Sequence, residues 1–389
     1  MSTSRVVLCI LALATIAPAA WATNPAYAKR TRVGQPRGAT TMARSDVGRS
    51  GLTPDPLPRA LAVRRELRVT GGITTGMLSD AEGRLVIATL DPELVQLARD
   101  GKQLWSASTG KSPAVVQPVL ASDGTRVVLN AENQLFGFGS SGKRRFLLQL
   151  PAGYSPSADL LPMPDGSVIV ALSTRLLRVS ADGRLLDTAR THSKVVALLG
   201  KDRDVLALTN AGDLLRWRSP HPPRRIAGLG GPPTGGVVRG RHLLTIVGGS
   251  RLLDIDLPTL TQHVRWSLQA SSALASPVAL PDGNTLTWTS DGLLLRHDRA
   301  GAEAMRVSLE PGTTTPSPVS NSPVLADASG RFAFARAGLG LGIVDPDGSL
   351  HFVEGASCEA PVSLIAVGNG RYALGCRSGV LWLLEGKAP

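Results

Sequence analysis

The chain has 389 residues, with 42 Lys and Arg against 30 Asp and Glu, a formal net charge of +12, and 4 % aromatic residues. The scarcity of aromatics excludes the stacking platforms that single-stranded nucleic acid and sugars require. Beyond the first 22 residues no segment is apolar enough to cross a membrane, so a water-soluble mature protein is expected.

Residues 1–22 combine Arg5, an apolar run from Val6 broken by Pro18, and an Ala20-Trp21-Ala22 ending. This is the pattern of a secretory signal cleaved before Thr23, and it predicts export to a periplasm or beyond. Cys9 lies inside the apolar run rather than after a small-residue cleavage site, so lipid attachment there is not expected. Residues 23–58 hold five prolines and six basic residues against Asp46 and Asp55, with almost no periodic apolar pattern. They read as a disordered basic linker. Residues 61–69 follow and alternate like a strand at several positions.

From residue 59 to 389 one unit recurs about every 41 residues, the period of a four-stranded propeller blade. Its first strand and turn read Gln117-Pro118-Val119-Leu120-Ala121-Ser122-Asp123-Gly124, and again Ser276-Pro277-Val278-Ala279-Leu280-Pro281-Asp282-Gly283. The first turns fall at Gly83, Gly124, Gly166, near Arg203, Gly240, Gly283, Gly330 and Gly370, so the count is eight. The last unit is one strand short and the first is preceded by the spare strand at 61–69. The predicted fold is therefore an all-β, eight-bladed β-propeller of four-stranded antiparallel blades, closed by an N-terminal strand in the last blade.

The units resemble the pyrroloquinoline-quinone-like (PQQ-like) repeat, the blade sequence of quinoprotein alcohol dehydrogenases and of BamB-like assembly lipoproteins. The residues that carry the resemblance are Leu97-Ala98-Arg99-Asp100-Gly101-Lys102-Gln103-Leu104-Trp105, similar to the family's Asp-to-Gly-to-Trp segment between third and fourth strands. Two activities follow from the resemblance. One is a non-catalytic scaffold for another macromolecule in cell-envelope assembly. The other is a PQQ-dependent dehydrogenase, which would need a quinone on the propeller axis, adjacent cysteines, acidic and amide calcium ligands and long walling loops. The chain has no adjacent cysteines, and eight blades in about 330 residues leave little beyond the strands. No enzyme activity is expected.

Other motifs fail on context. Gly137-Phe138-Gly139-Ser140-Ser141-Gly142 matches a dinucleotide-binding pattern, yet a strand-like stretch follows where a helix must open. Gly110-Lys111-Ser112 lacks the upstream glycine of a phosphate loop, and Asp345-Pro346-Asp347-Gly348 places its glycine too early for a calcium loop. No two of the six histidines stand at ligand spacing. No catalytic, cofactor-binding or metal residues are assigned, and no cofactor is expected. Cys358 and Cys376, the two cysteines beyond the leader, are expected to form a structural disulfide in the last blade. Trp217, Trp266, Trp288 and Trp382 alternate with aliphatic residues inside strands and are expected to pack between blades. The long connections at 219–233 and 310–323 are the candidate partner-binding loops, together with the axial funnel. The expected partner is a protein or other envelope macromolecule, bound by a monomer. Nucleic acid is not expected, and the net positive charge favours weak electrostatic contact with an anionic membrane surface.

Overall fold

The computed structural model describes residues 40–42, 44, 46–269, 272, 273, 275–309 and 324–386. Two units are delimited, Met1–Arg32 and Val33–Pro389, and only the second contains described residues. The expected signal at 1–22, the first part of the expected linker and the loop at 310–323 lie outside them.

The described residues form eight four-stranded antiparallel sheets and no helix. Blades 1 to 7 span 78–108, 119–149, 161–190, 195–228, 233–267, 278–308 and 324–352. Blade 8 is built from Pro361–Gly368, Arg371–Cys376, Val380–Gly386 and the N-terminal strand Leu61–Arg68. That strand pairs with the last one from Leu61 opposite Gly386 to Arg68 opposite Val380, with a register shift between Val63 and Arg65. The ring is therefore closed by hydrogen bonds as well as by packing, as the spare strand implied.

Turn chemistry explains the repeat. All seven glycines that mark the first turns have positive φ, from 56° at Gly240 to 91° at Gly283, and in blade 4 Asp202 takes that conformation at 57°. A side chain bearing Cβ is strained there, so Gly, Asp or Asn is selected. First strands of neighbouring blades touch one another and line the axis, while the fourth strands are largely exposed. The core is a succession of apolar layers between blades, such as the layer of Val69, Ile73, Leu85 and Leu97 against Ile365 and Leu381 that joins blades 1 and 8. Trp217, Trp266 and Trp288 are buried and Trp382 is half-buried. The Asp-to-Gly-to-Trp segment acts across the blade boundary: the Trp105 ring of blade 1 lies over Gly142 of blade 2, where an added Cβ would approach it to 2.6 Å.

Two expectations are corrected. The described residues between 40 and 58 are not a free linker, because they are hydrogen-bonded into the propeller and bury Met42, Val47 and Leu57. The connection at 219–233 is not one continuous loop either, since Arg224–Gly228 within it is the fourth strand of blade 4. An outer strand half open to water needs no apolar alternation, so its sequence did not distinguish it from a loop.

Candidate binding surface

Described residues between 40 and 53 run along the inner strands at the axis. They reach the first strand, or the residues just before it, in every blade. In blade 1, Thr40 N donates to Ser79 Oγ (2.9 Å) and Ser79 N to Thr40 O (2.7 Å). Thr40 Oγ1 donates to Ala366 O of blade 8 (3.0 Å) and Leu120 N of blade 2 donates to Thr41 O (2.9 Å). Gly200 N of blade 4 donates to Val47 O (2.6 Å) and Val238 N of blade 5 to Gly48 O (2.7 Å). Ala326 of blade 7 accepts from Thr53 N at 2.7 Å and donates to Gly51 O at 3.2 Å.

Two arginines complete the set. Arg49 donates from Nε to Leu198 O (3.2 Å) and from Nη2 to Leu160 O (3.0 Å) and Asp159 O (3.3 Å), joining blades 3 and 4. Arg44 donates to Ser276 O (3.0 Å) and Pro277 O (2.6 Å) of blade 6, and back to Arg49 O (3.0 Å). Burial lowers the pKa of both, and Arg44, further depressed by the neighbouring Arg49 charge, falls to about 10. The segment can turn this tightly because Asp46 accepts from Ser50 N and Oγ. Gly48 also lies so close to Val238 O that a Cβ would come within 2.5 Å. The chain then leaves the axis past Asp327, whose carboxylate accepts from Leu57 N (2.8 Å), and Tyr372, whose hydroxyl donates to Pro56 O (2.9 Å).

A quinone does not fit this axis. The space at the ends of the first strands is occupied by backbone and by two guanidinium groups whose donors are engaged by carbonyls. Among the described residues no group of three or more His, Cys, Asp and Glu is placed to hold a metal ion. The other motifs resolve as turns: Gly139 to Gly142 joins two strands of blade 2, and Asp345 to Ser349 closes a hairpin, with Asp345 N donating to Ser349 O (2.8 Å). Cys358 precedes the first strand of blade 8 and Cys376 ends its second; their sulfurs are bonded and their Cα atoms are 5.8 Å apart. No helix among the described residues is long and apolar enough to cross a membrane.

Two clefts lie on the outside of the ring. One cleft of about 530 Å³ lies between residues 59–61 and the third and fourth strands of blade 7, beside Asp347, Phe352 and Glu354. A smaller one of about 390 Å³ lies between blades 1 and 2, around Lys111, Glu132 and Arg144. The larger cleft also holds Ser349, whose Oγ donates to Asp347 (2.7 Å), and His351, whose Nε2 lies 3.5 Å from Asp345.

These features define a closed eight-bladed β-propeller with a segment of its own chain bonded to the inner strands. Residues 33–196 match the family model described as outer membrane protein assembly factor BamB, a family whose repeat the blade sequence resembles. Among solved structures it is similar to BamB from Moraxella catarrhalis, with a TM-score of 0.64 and 18 % identity over 85 % of this chain and 99 % of that one. It is equally similar in fold to the computationally designed Ika8 protein, with a TM-score of 0.65 and 16 % identity over 82 % and 98 % of the two chains. At such identities the likeness concerns the fold. No curated protein matches the sequence.

Sequence reasoning missed the axial segment. Its signal is Met42, Val47, Leu52 and Leu57, apolar at every fifth residue, of which three are buried and Leu52 packs against the layer between blades 6 and 7.

Proposed function

We propose that this protein is a non-catalytic scaffold of the cell envelope that holds a protein partner on the outside of its ring. The observation that carries the reading is the axial segment: where a propeller dehydrogenase would seat its quinone, described residues between Thr40 and Thr53, with the side chains of Arg44 and Arg49, bond to the inner strands. The partial match to an outer membrane protein assembly factor supports an envelope role. Export through the leader at 1–22 belongs to the same reading, as does action as a monomer. Lys29, Arg30, Arg32 and Arg37 then give the mature N-terminus weak electrostatic attraction to an anionic membrane surface. Nucleic acid has no part in it.

The test is incubation of the purified protein with pyrroloquinoline quinone and calcium, followed by calorimetry and dye reduction with alcohols and sugars. No saturable quinone binding and no substrate-dependent reduction are expected. A stoichiometric quinone complex that turns over would overturn the scaffold reading and establish the dehydrogenase.

A further inference from the structure

The charge is unevenly distributed around the ring. Residues 194–268, which make blades 4 and 5, contain eleven Lys and Arg against five Asp and no Glu, whereas residues 269–389 contain eight basic and eleven acidic residues. In blades 4 and 5 the cations gather at one end, on the turns between first and second strands and between third and fourth strands. Lys201 and Arg203 belong to the first turn of blade 4, Arg218 and Arg224 flank its second, and Arg239 and Arg241 flank the first turn of blade 5.

Some of these are neutralised in place. Arg218 grips Asp204 with two hydrogen bonds of 2.6 and 3.0 Å, Arg241 grips Asp256 at 2.6 and 2.5 Å, and Lys201 pairs with Asp202 at 3.3 Å. Arg216 Nη2 reaches from blade 4 to Leu257 O of blade 5 (3.4 Å). Arg203, Arg224 and Arg239 have no carboxylate partner among the described residues. Arg203 and Arg224 are exposed, and Arg239 is half-buried, its Nη1 buried without an acceptor and the rest of its guanidinium without a carboxylate. The axial segment bonds to Gly200 and Val238, the residues immediately before Lys201 and Arg239, so the turns stand on a fixed base.

We propose, resting on the scaffold reading, that this end of blades 4 and 5 is the docking surface for an acidic protein segment whose carboxylates pair with Arg203, Arg224 and Arg239. The guanidinium fork matches a carboxylate in two hydrogen bonds. Asp202, Asp204 and Asp256 stand between the cations and would face the uniform negative plane of a bilayer unfavourably, whereas a peptide can place its acids between them. That interleaving favours a protein over a membrane.

The test uses the mature full-length chain, a fluorescent synthetic Glu-rich peptide read by anisotropy, and vesicles containing phosphatidylglycerol. Saturable peptide binding is expected, weakened at high salt, and weakened about tenfold or more by Arg203→Gln/Arg224→Gln/Arg239→Gln with an unchanged melting curve. Lys111→Gln/Lys143→Gln/Arg144→Gln, which removes the same number of charges from exposed positions at blades 1 and 2, should bind like the wild type. Should the first variant fold poorly, Arg203→Gln/Arg224→Gln alters only exposed groups and serves in its place. Absence of peptide binding, equal loss in both triple variants, or vesicle binding through the same arginines in place of the peptide overturns the assignment. Each of those results leaves the scaffold reading standing; only quinone turnover removes that.

Discussion

Replacing Arg49 by Ala tests whether the axial segment holds the ring together. The change removes donors to Leu198 O, Leu160 O and Asp159 O. A buried acceptor left without its donor costs about 1–3 kcal/mol. The pair with Asp159 is long at 3.9 Å, with that carboxylate 45 % exposed, so it adds about 0–1 kcal/mol. Against this, burial holds the Arg49 pKa below its ordinary value, so removing the charge returns part of its desolvation penalty. A net loss of about 2–4 kcal/mol follows from these opposing effects. With an unfolding entropy of about 2.1 cal/mol/K per residue over about 330 residues, that lowers the melting temperature by about 3–6 °C. Calorimetry reads the shift, and limited trypsinolysis with mass spectrometry reads cleavage after Arg44, which should be slow in the wild type and faster in the variant. Arg49→Lys keeps the charge without the fork and should fall between. An unshifted melting curve, together with rapid cleavage after Arg44 in the native wild type, would refute a seated segment.

Truncation to begin at Arg59 removes the axial segment but keeps the closing strand, and should give a soluble, less stable protein. Truncation to begin at Gly71 also exposes the free edge of Val380–Gly386 and should aggregate, read by light scattering, because an unpaired edge templates other strands. His297 stacks on Trp266 with centroids 4.6 Å apart, and burial lowers its pKa. The unfolded chain therefore binds a proton that the folded one refuses, so stability should fall as pH drops below about 6.5, and His297→Phe should flatten that part of the profile. The Cys358–Cys376 bridge, with a sequence separation of 18, should contribute about 3 kcal/mol, read as a lower melting temperature in Cys358→Ser/Cys376→Ser with the ring still closed.

The blades were legible because each repeats one local constraint: a positive-φ turn between two apolar strands, as at Gly124 and Gly283. Closure was legible as well, since a strand at 61–69 without a partner and a last unit lacking a strand complete each other. The axial segment was not. It obeys neither the period of two nor that of 3.6, because its side chains point outward to different blades as the backbone turns, and its arginines, with Pro54, Pro56 and Pro58 directly after it, mimic the composition of a disordered tail. Arg44 and Arg49 read as solvated charge for the same reason; only the ring of carbonyls at Leu160, Leu198, Ser276 and Pro277 makes them interior residues. The basic surface on blades 4 and 5 lay open in the sequence as a local excess of charge, but which arginines lack a partner depends on turns that place Asp204 against Arg218 and Asp256 against Arg241.

Closure and binding are linked through the same segment. Thr40 to Thr53 meets all eight blades, and Leu61–Arg68 meets the last strand of the chain, so both contacts join residues separated by most of the sequence. Such contacts bear the full cost of loop closure and are made after the local hairpins that form each blade. The axial segment is therefore expected to take its place after the ring is complete. Its bonds to Gly200 and Val238 also anchor the turns that carry Lys201, Arg203, Arg239 and Arg241. In an incomplete ring these turns lack that anchor, and their arginines lose the fixed spacing that a set of carboxylates would recognise. A partner that engages Arg203 and Arg239 together is thus selecting the closed propeller over its partly assembled forms.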